Sequence, residues 1–254
     1  MFAEKRHREI VTILEKETVV KVKELSILFN VSLETIRRDL EILDKNKYLK
    51  KVYGGAILLE KDISNLKFNE RKKEKVSEKN EIAQLAIRYI VEKDIITING
   101  GTTNLEIAKL LKNKFSNLTV ITNSLSIANI LSEDNNIKLL LIGGLFNPKE
   151  NSFYGNFSYD IIKKFNSTKT FLSVGGIDLS IGITEFILEE VEIQKLMIKN
   201  TKQIIVVSDS SKFEKTSLVK IIELNKIDFI ITDSNLPPSI YKKYTQKGIK
   251  IVNQ

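Results

Sequence analysis

The spacing of hydrophobic positions changes character along the chain. Val22, Leu25, Leu28 and Phe29, and then Leu33, Ile36, Leu40 and Leu43, recur at intervals of three and four, the period that gathers side chains on one face of a helix. Asn30-Val31 separates the two stripes. Ser32 suits the cap of the second helix, because its hydroxyl can accept from an orphaned first-turn amide. Ahead of them, Ile10, Ile13 and Leu14 mark a helix over residues 4–16. Behind them, residues 48–57 read as a two-stranded wing, with Gly54 and Gly55 permitting a tight turn. Ile82, Leu85, Ala86, Tyr89 and Ile90 stripe a further helix over 77–92. Beyond it, short β-branched runs at 94–99, 118–122, 137–142, 168–174, 203–208, 228–232 and 249–252 alternate with helical patterns at 105–112, 124–131, 159–165, 186–200 and 238–244. Nearly continuous apolar strands between helices predict a mostly parallel sheet covered on both faces. The expected fold class is α/β: a winged helix-turn-helix at 1–57, a charge-rich connector at 58–80, and a larger α/β domain at 81–254.

At about 100° per residue, Arg38 faces away from the stripe of the second helix. Glu34, Glu41 and Lys45 lie near it, and Thr35 and Arg37 flank it. A capped helix with paired arginines, reached by a tight turn, can enter a major groove. An ordinary amphipathic hairpin with a solvated charged face has the same spacing. In the first reading Arg38 and Thr35 meet base edges, while Arg37, Lys50 and Lys51 meet phosphates. Tyr53 lies along the sugar-phosphate backbone, and Ser32 and Glu34 complete the DNA-facing set.

Charge supports that reading lightly. The net charge of +8 suits a polyanionic partner. Residues 1–57 carry 12 Lys/Arg against 9 Asp/Glu, and the threefold longer span 81–254 carries 21 against 18, so positive density is concentrated at the front. The absence of cysteine excludes disulfides and thiolate chemistry. His7, the one histidine, is expected to be solvated or to face phosphate, since nothing nearby in sequence could activate it. The charged amino terminus lacks a following apolar segment, and no apolar run reaches the roughly 18–20 residues that span a bilayer. A cytoplasmic protein with no membrane partner, no cofactor, no metal site and no catalytic residues is expected.

Ligands of open parallel sheets sit beyond the carboxyl ends of the strands. Asn99 to Asn104 follows the first strand and opens a helix: Gly100 and Gly101 let backbone amides approach an anion, and Thr102 and Thr103 add hydroxyls. Thr122, Asn123 and Ser124 follow the second strand, Gly143 and Gly144 the third, and Gly175, Gly176, Ile177 and Asp178 the fourth. Residues 209–213 follow the fifth, where Lys212 offers a point charge. Each loop alone reads more simply as a turn or a helix cap. Together they favour a small anionic ligand, without the spacing of a Walker loop or a dinucleotide fingerprint.

Arg6-His-Arg8, Val31-Ser-Leu-Glu-Thr-Ile-Arg-Arg-Asp-Leu40 and Val52-Tyr-Gly-Gly-Ala56 closely resemble the winged helix-turn-helix of DeoR-family bacterial repressors. The resemblance continues through nearly the whole chain. It implies operator double-stranded DNA as a partner, a homo-oligomer, and a sensor domain resembling ribose-5-phosphate isomerase-like folds that responds to a phosphorylated metabolite. By resemblance the effector motifs are Gly101-Thr-Thr103, Thr122-Asn-Ser124, Gly143-Gly144, Gly182-Ile-Thr184 and Ser211-Lys-Phe213, with Glu185 adjoining. Three positions depart from the family pattern: Asn99 where Asp is usual, Glu185 where Thr is frequent, and Gln194 where Lys is usual. Losing a cation and gaining a carboxylate points to a less anionic effector. The implied function is a transcriptional repressor of carbohydrate-metabolism genes controlled by a small phosphorylated sugar or related metabolite. The alternative is a sugar-phosphate isomerase or deaminase with a DNA-binding appendage, for which Asp178, Glu185 and Asp209 are available acids and bases.

Overall fold

A computed structural model describes residues 3–17, 19–45, 48–58 and 67–254. The chain forms two compact units, Met1–Ile63 and Ser64–Gln254. The first contains α1 (Ala3–Glu17), β1 (Val19–Lys21), α2 (Val22–Phe29), α3 (Leu33–Lys45), β2 (Leu49–Val52) and β3 (Gly55–Leu58). Ile10, Leu14, Leu25, Phe29, Ile36, Leu40 and Leu43 close on one another, with Val20, Leu49 and Ala56 beneath the wing. Asn30, in the left-handed region at φ 50, turns the chain between α2 and α3. Ser26 pins that turn, its carbonyl accepting from Val31 N at 3.2 Å and its hydroxyl donating to Val31 O at 2.6 Å.

Among the described residues the wing has three antiparallel strands in the order β1-β3-β2. The third strand, β1, is too short to announce itself by period. Its approach explains Gly55, where any Cβ would overlap the Val20 carbonyl. Two expected core positions face outward: Leu28 is 62% exposed and Leu33 40%. Both lie at the edge of their stripes, and the centre of the buried face of α3 is shared with Asp39. Arg6 reaches that carboxylate with Nε at 2.6 Å and Nη2 at 3.0 Å, and His7 Nε2 lies 2.8 Å from Oδ1. His7, expected to be solvated or to face phosphate, is half-buried against α3 with Nε2 engaged by Asp39.

The second unit opens with α4 (Phe68–Arg71) and α5 (Val76–Ile87). Then follow β4 (Ile95–Ile98), α6 (Thr102–Leu111), β5 (Leu118–Thr122), α7 (Leu125–Leu131) and β6 (Ile137–Leu141). A hairpin of β7 (Leu145–Asn147) and β8 (Ser152–Tyr154) leads to α8 (Asn156–Ile162) and β9 (Ser167–Ser173). After β10 (Gly176–Asp178), β11 (Gly182–Glu185) and α9 (Leu188–Lys199) come β12 (Thr201–Val207), β13 (Val219–Ile222), β14 (Phe229–Ile231), α10 (Pro238–Thr245) and β15 (Ile251–Val252). Seven of these described strands form a parallel sheet in the order β15-β14-β12-β9-β4-β5-β6. Successive side chains point to opposite faces, so Phe171, Ile205, Val207 and Ile231 pack with α5, α6 and α7. Leu172, Val206 and Ile230 pack with Val191 of α9 and Tyr244 of α10. The parallel α/β expectation holds. The hairpin β7-β8 and the antiparallel sheet β10-β11-β13 were not legible, being three- and four-residue strands broken by Gly, Asn and Ser.

The connector expected over 58–80 is corrected in its second half. Phe68 is 2% exposed, Arg71 is paired with Glu150, and Lys79 donates to the carbonyls of Arg71 (2.6 Å) and Glu74 (2.7 Å). Glu70, Arg71 and Lys79 of this run cap and bond inside the second unit. Residues 59–66 lie outside the described ones.

Burial alone would raise the Asp39 carboxyl, but the bonds from Arg6 and His7 outweigh it and hold it below the usual range. Its stabilisation is therefore complete above the unfolded value of about 3.9 and is lost as pH falls through the depressed folded value. Asp39→Ala should cost about 3–5 kcal/mol at neutral pH, since it strands a buried guanidinium. Urea unfolding at pH 7 and in acid checks this: the gap between wild type and variant should shrink as Asp39 is protonated, and a constant gap would contradict it.

Candidate nucleic-acid interface and effector site

The start of α3 is built as the sequence expects. Ser32 Oγ accepts from Thr35 N at 3.1 Å and lies 2.8 Å from Thr35 Oγ1. The two hydroxyls occupy each other until a new partner arrives. Glu34 and Arg37 pair at 3.3 Å on the exposed surface. Arg38 is exposed and makes no ion pair or hydrogen bond among the described residues. Unlike Arg37, it has no carboxylate partner to leave before meeting a ligand.

The wing lysines do not act as a unit. Strand alternation sends Lys50 and Lys51 to opposite faces of β2. Lys51 turns to α3 and pairs with Glu41, whose carboxyl it holds below the usual range. Lys50 stays exposed, and Tyr53 stands fully exposed at the wing turn. Sequence reasoning placed Glu41 near Arg38 but missed its pairing with the wing.

The rim of the second unit is assembled from strand ends. Asn99, after β4, accepts from Ser173 N (2.8 Å) and donates to Ser173 O (3.0 Å), joining β4 to β9. Asn123, after β5, accepts from Gly100 N at 3.0 Å. Gly101 begins α6 in a conformation open to glycine, φ +152, and a Cβ there would stand 2.5 Å from Ser173 Oγ. The glycine is thus demanded by the protein itself, a reason the sequence did not disclose. The first-turn N–H groups of Thr102 and Thr103, and their hydroxyls, have no partner among the described residues.

Other predicted positions serve the fold. Thr122 accepts from Ser124 N at 3.1 Å, and Ser124 caps α7 through Ile127 N at 3.4 Å. Gly143 and Gly144 pack against α8, where Ser158 donates to Gly143 O at 2.9 Å. Asp178 closes the β10-β11 turn by accepting from Ser180 N, Ser180 Oγ and Ile181 N at 2.6–3.0 Å. In the register of that hairpin Asp178 faces Gly182, while Gly176 faces Thr184. Asp178 and Gly182 therefore lie at the end of β11 away from Glu185, roughly 10 Å along the strand. Thr184 is buried and accepts from Ser217 N at 2.8 Å.

Lys212 and Glu185 do come together, around Phe186. The Lys212 ammonium lies 6.0 Å from the Phe186 ring centroid, and the Arg71 guanidinium 5.4 Å from it. The Lys212 ammonium has no ion pair or hydrogen bond among the described residues. Burial lowers its pKa, opposed by the charges of Asp209 and Glu185. Burial also brings Lys79 down to about 8, with Asp209 opposing and Arg71 reinforcing. Burial raises the Glu185 carboxyl against its bonds from Gln194, Phe186 N and Ile187 N. Glu190, on α9, is pushed up to about 7 by burial, although Ser152 and Asn123 donate to it.

Arg71, Lys79, Phe186 and Glu190 were missed. Arg71 sat in a mixed-charge run that reads as a solvated face, and its partner Glu150 is 79 residues away. Glu190 did leave a signal, since it shares a helical face with Ile193, Gln194 and Met197, all buried. Among the described residues no group of His, Cys, Asp and Glu is arranged to hold a metal, and no helix is long and apolar enough to cross a membrane.

A winged helix-turn-helix joined to a parallel α/β domain with a polar, charged rim defines the class as a DNA-binding regulator with a sensing domain. Residues 6–62 match the DeoR-like helix-turn-helix domain, and residues 74–234 match the DeoR C terminal sensor domain. The HTH-type transcriptional regulator YulB of Bacillus subtilis (strain 168) is 36% identical over 251 residues, covering 99% of this chain and 96% of the relative. GolR of Listeria innocua is 32% identical, covering 99% and 98%. The glycerol-3-phosphate regulon repressor of Escherichia coli (strain K12) is 30% identical, covering 97% of each. The chain belongs to the DeoR family of helix-turn-helix transcriptional regulators. A ribose-5-phosphate isomerase in complex with phospho-erythronic acid aligns with TM-score 0.41 and 16% identity over 53% of this chain and 52% of that one, so the chain spans about half of it. A likeness that loose carries no weight for function.

Two substitutions separate readout from anchoring. Arg38→Ala should cost about 1–3 kcal/mol on the operator and flatten preference at one base pair. Glu41→Gln should instead release Lys51 and tighten binding to all sequences a few-fold, with a steeper salt dependence. Fluorescence titrations on operator and random duplexes at several salt concentrations check both, and an Arg38→Ala loss that is equal on the two duplexes would contradict the assignment.

Proposed function

We infer that this protein represses carbohydrate-metabolism genes in the cytoplasm, binding its operator as a homo-oligomer and responding to a small phosphorylated sugar. Arg38 and Thr35 meet base edges, with Ser32 and Glu34 setting the start of α3. Arg37, Lys50, Lys51 and Tyr53 meet the backbone. Two half-sites require two heads, which is the argument for an oligomer.

One observation carries the effector reading: Lys212 is a half-buried ammonium with no ion-pair partner among the described residues, on the same rim as the free N–H groups and hydroxyls that open α6. A half-buried unpaired cation is costly, and an arriving phosphate offsets that cost. The helix amino terminus favours the same charge. The name of the glycerol-3-phosphate regulon repressor, a relative over nearly its whole length, is consistent with a phosphate ester as signal. Repression is relieved or imposed to the extent that the ligand binds the two DNA-affinity states unequally.

Two of the three acids available for isomerisation are engaged elsewhere. Proton-transfer chemistry needs an acid and a base free to reach substrate. Asp178 is committed to a turn, and Asp209 is committed to Ser211.

Lys212→Ala should weaken binding of the phosphorylated effector by about 1.5–3 kcal/mol, the usual worth of a charge-assisted contact. Operator affinity without effector should stay as in wild type. Calorimetric titration of phosphorylated sugars, with the dephosphorylated sugars as controls, tests this. Equal affinity of wild type for both forms would sink the phosphate site.

A further inference from the structure

The phosphate reading uses one wall of the rim, the wall made of donors. The neighbouring wall is made of acceptors. Glu185 Oε1 accepts from Phe186 N at 2.8 Å and Ile187 N at 3.3 Å, and Oε2 accepts from Gln194 Nε2 at 3.0 Å. Gln194 is 1% exposed, and its Oε1 has no partner. Glu190 adds a second buried carboxylate, bonded to Ser152 and to Asn123 at 3.1 Å. The buried carboxylates Asp39, Asp94, Glu106 and Glu150 each have a cation within ion-pair distance, while Asp134, Asp209 and Asp233 are closed by neutral donors at turns. Glu185 and Glu190 have neutral donors only among the described residues. The two walls belong to one site, because Glu185 adjoins Phe186, on whose ring Lys212 and Arg71 bear.

A buried carboxylate without a cation, beside an amide oxygen without a donor, is an unfavourable arrangement. A ligand hydroxyl would bring one donor to it. An ammonium brings three donors and a full charge. We propose that Glu185 and Gln194 are specificity-determining residues that select an amino group on the effector, making the ligand class a phosphorylated amino sugar. The ammonium lies between Glu185 Oε2 and Gln194 Oε1, and the phosphate lies on Lys212 and the start of α6. This rests on the phosphate-site reading, and deepens it.

The test is calorimetric titration of the full chain with D-glucosamine 6-phosphate and D-glucose 6-phosphate, which differ at one substituent. Wild type should bind the amino sugar at least about tenfold more tightly, equivalent to about 1.4 kcal/mol. In Glu185→Gln, which keeps shape and loses charge, the two affinities should converge to within about twofold. A measurement on wild type alone guards against a variant that does not fold. The preference should fall as pH is raised past the pKa of the sugar amine. Glu190 and Lys79 titrate in the same region but act on both ligands, so glucose 6-phosphate serves as their control. Equal affinity of wild type for the two esters, with both lost in Lys212→Ala, would overturn the amine site and leave the phosphate site standing. Binding of neither ester would overturn both.

Discussion

Two side-chain amides hold the working end of the sheet. Asn99 bonds both the N–H and the carbonyl of Ser173, and Asn123 takes the N–H of Gly100 while donating to Phe153 O at 3.0 Å and to Glu190. Through them the ends of β4, β5, β8 and β9 and the first turn of α9 are fixed to one another. A carboxylate at position 99 could accept from Ser173 but could not donate to it. The departure to Asn99 therefore adds a strand-like pair of bonds and removes a negative charge from beside the opening of α6. Asn104 tightens the same corner, donating at 2.8–3.1 Å to Asn99 and to Phe171 O. The free amides of α6 are oriented because the loop before them has no freedom left.

The chain declared its architecture wherever a long period repeated against one layer. The stripes of α2 and α3, the α5 stripe and the β-branched runs of the main sheet could be read directly, because burial against one neighbour writes one period. What stayed hidden depends on partners far apart in sequence. Asp39 occupies a core position only because Arg6 and His7 reach it, and Arg71 leaves the solvent only because Glu150 receives it. The strand loops were correctly placed at the rim, yet several of their hydroxyls and glycines turn inward. A local pattern cannot tell a Thr122 that braces the next amide from a Thr102 whose hydroxyl is left over. Glu185 and Gln194 stood out as separate departures. That they touch each other required the fold.

The DNA-binding module shows the same economy of charge on an exposed surface. Glu34 holds Arg37, and Glu41 holds Lys51, both in water, where such pairs are weak. These pairs break at little cost when phosphates offer a stronger counter-charge, and they keep the basic face from attaching to any polyanion it meets. Arg38 has no such restraint.

Buried charges in this protein divide by the kind of partner they have. Asp39 with Arg6, Asp94 with Lys169, and Glu150 with Arg71 are cation-anion pairs whose removal leaves a lone ion in the interior. They fix a helix, a strand end and the entry to the second unit. Glu185 and Glu190, which are buried, and Lys212, which is half-buried, have no opposite charge within ion-pair distance among the described residues. Burial displaces each from its ordinary titration, against the opposing charges of Asp209 and Glu185 at Lys212 and of Arg71 at Glu185. Asp134, Asp209 and Asp233 are satisfied by neutral donors at turns and Lys79 by two carbonyls, so what sets Glu185 apart is the partnerless amide oxygen of Gln194 beside it.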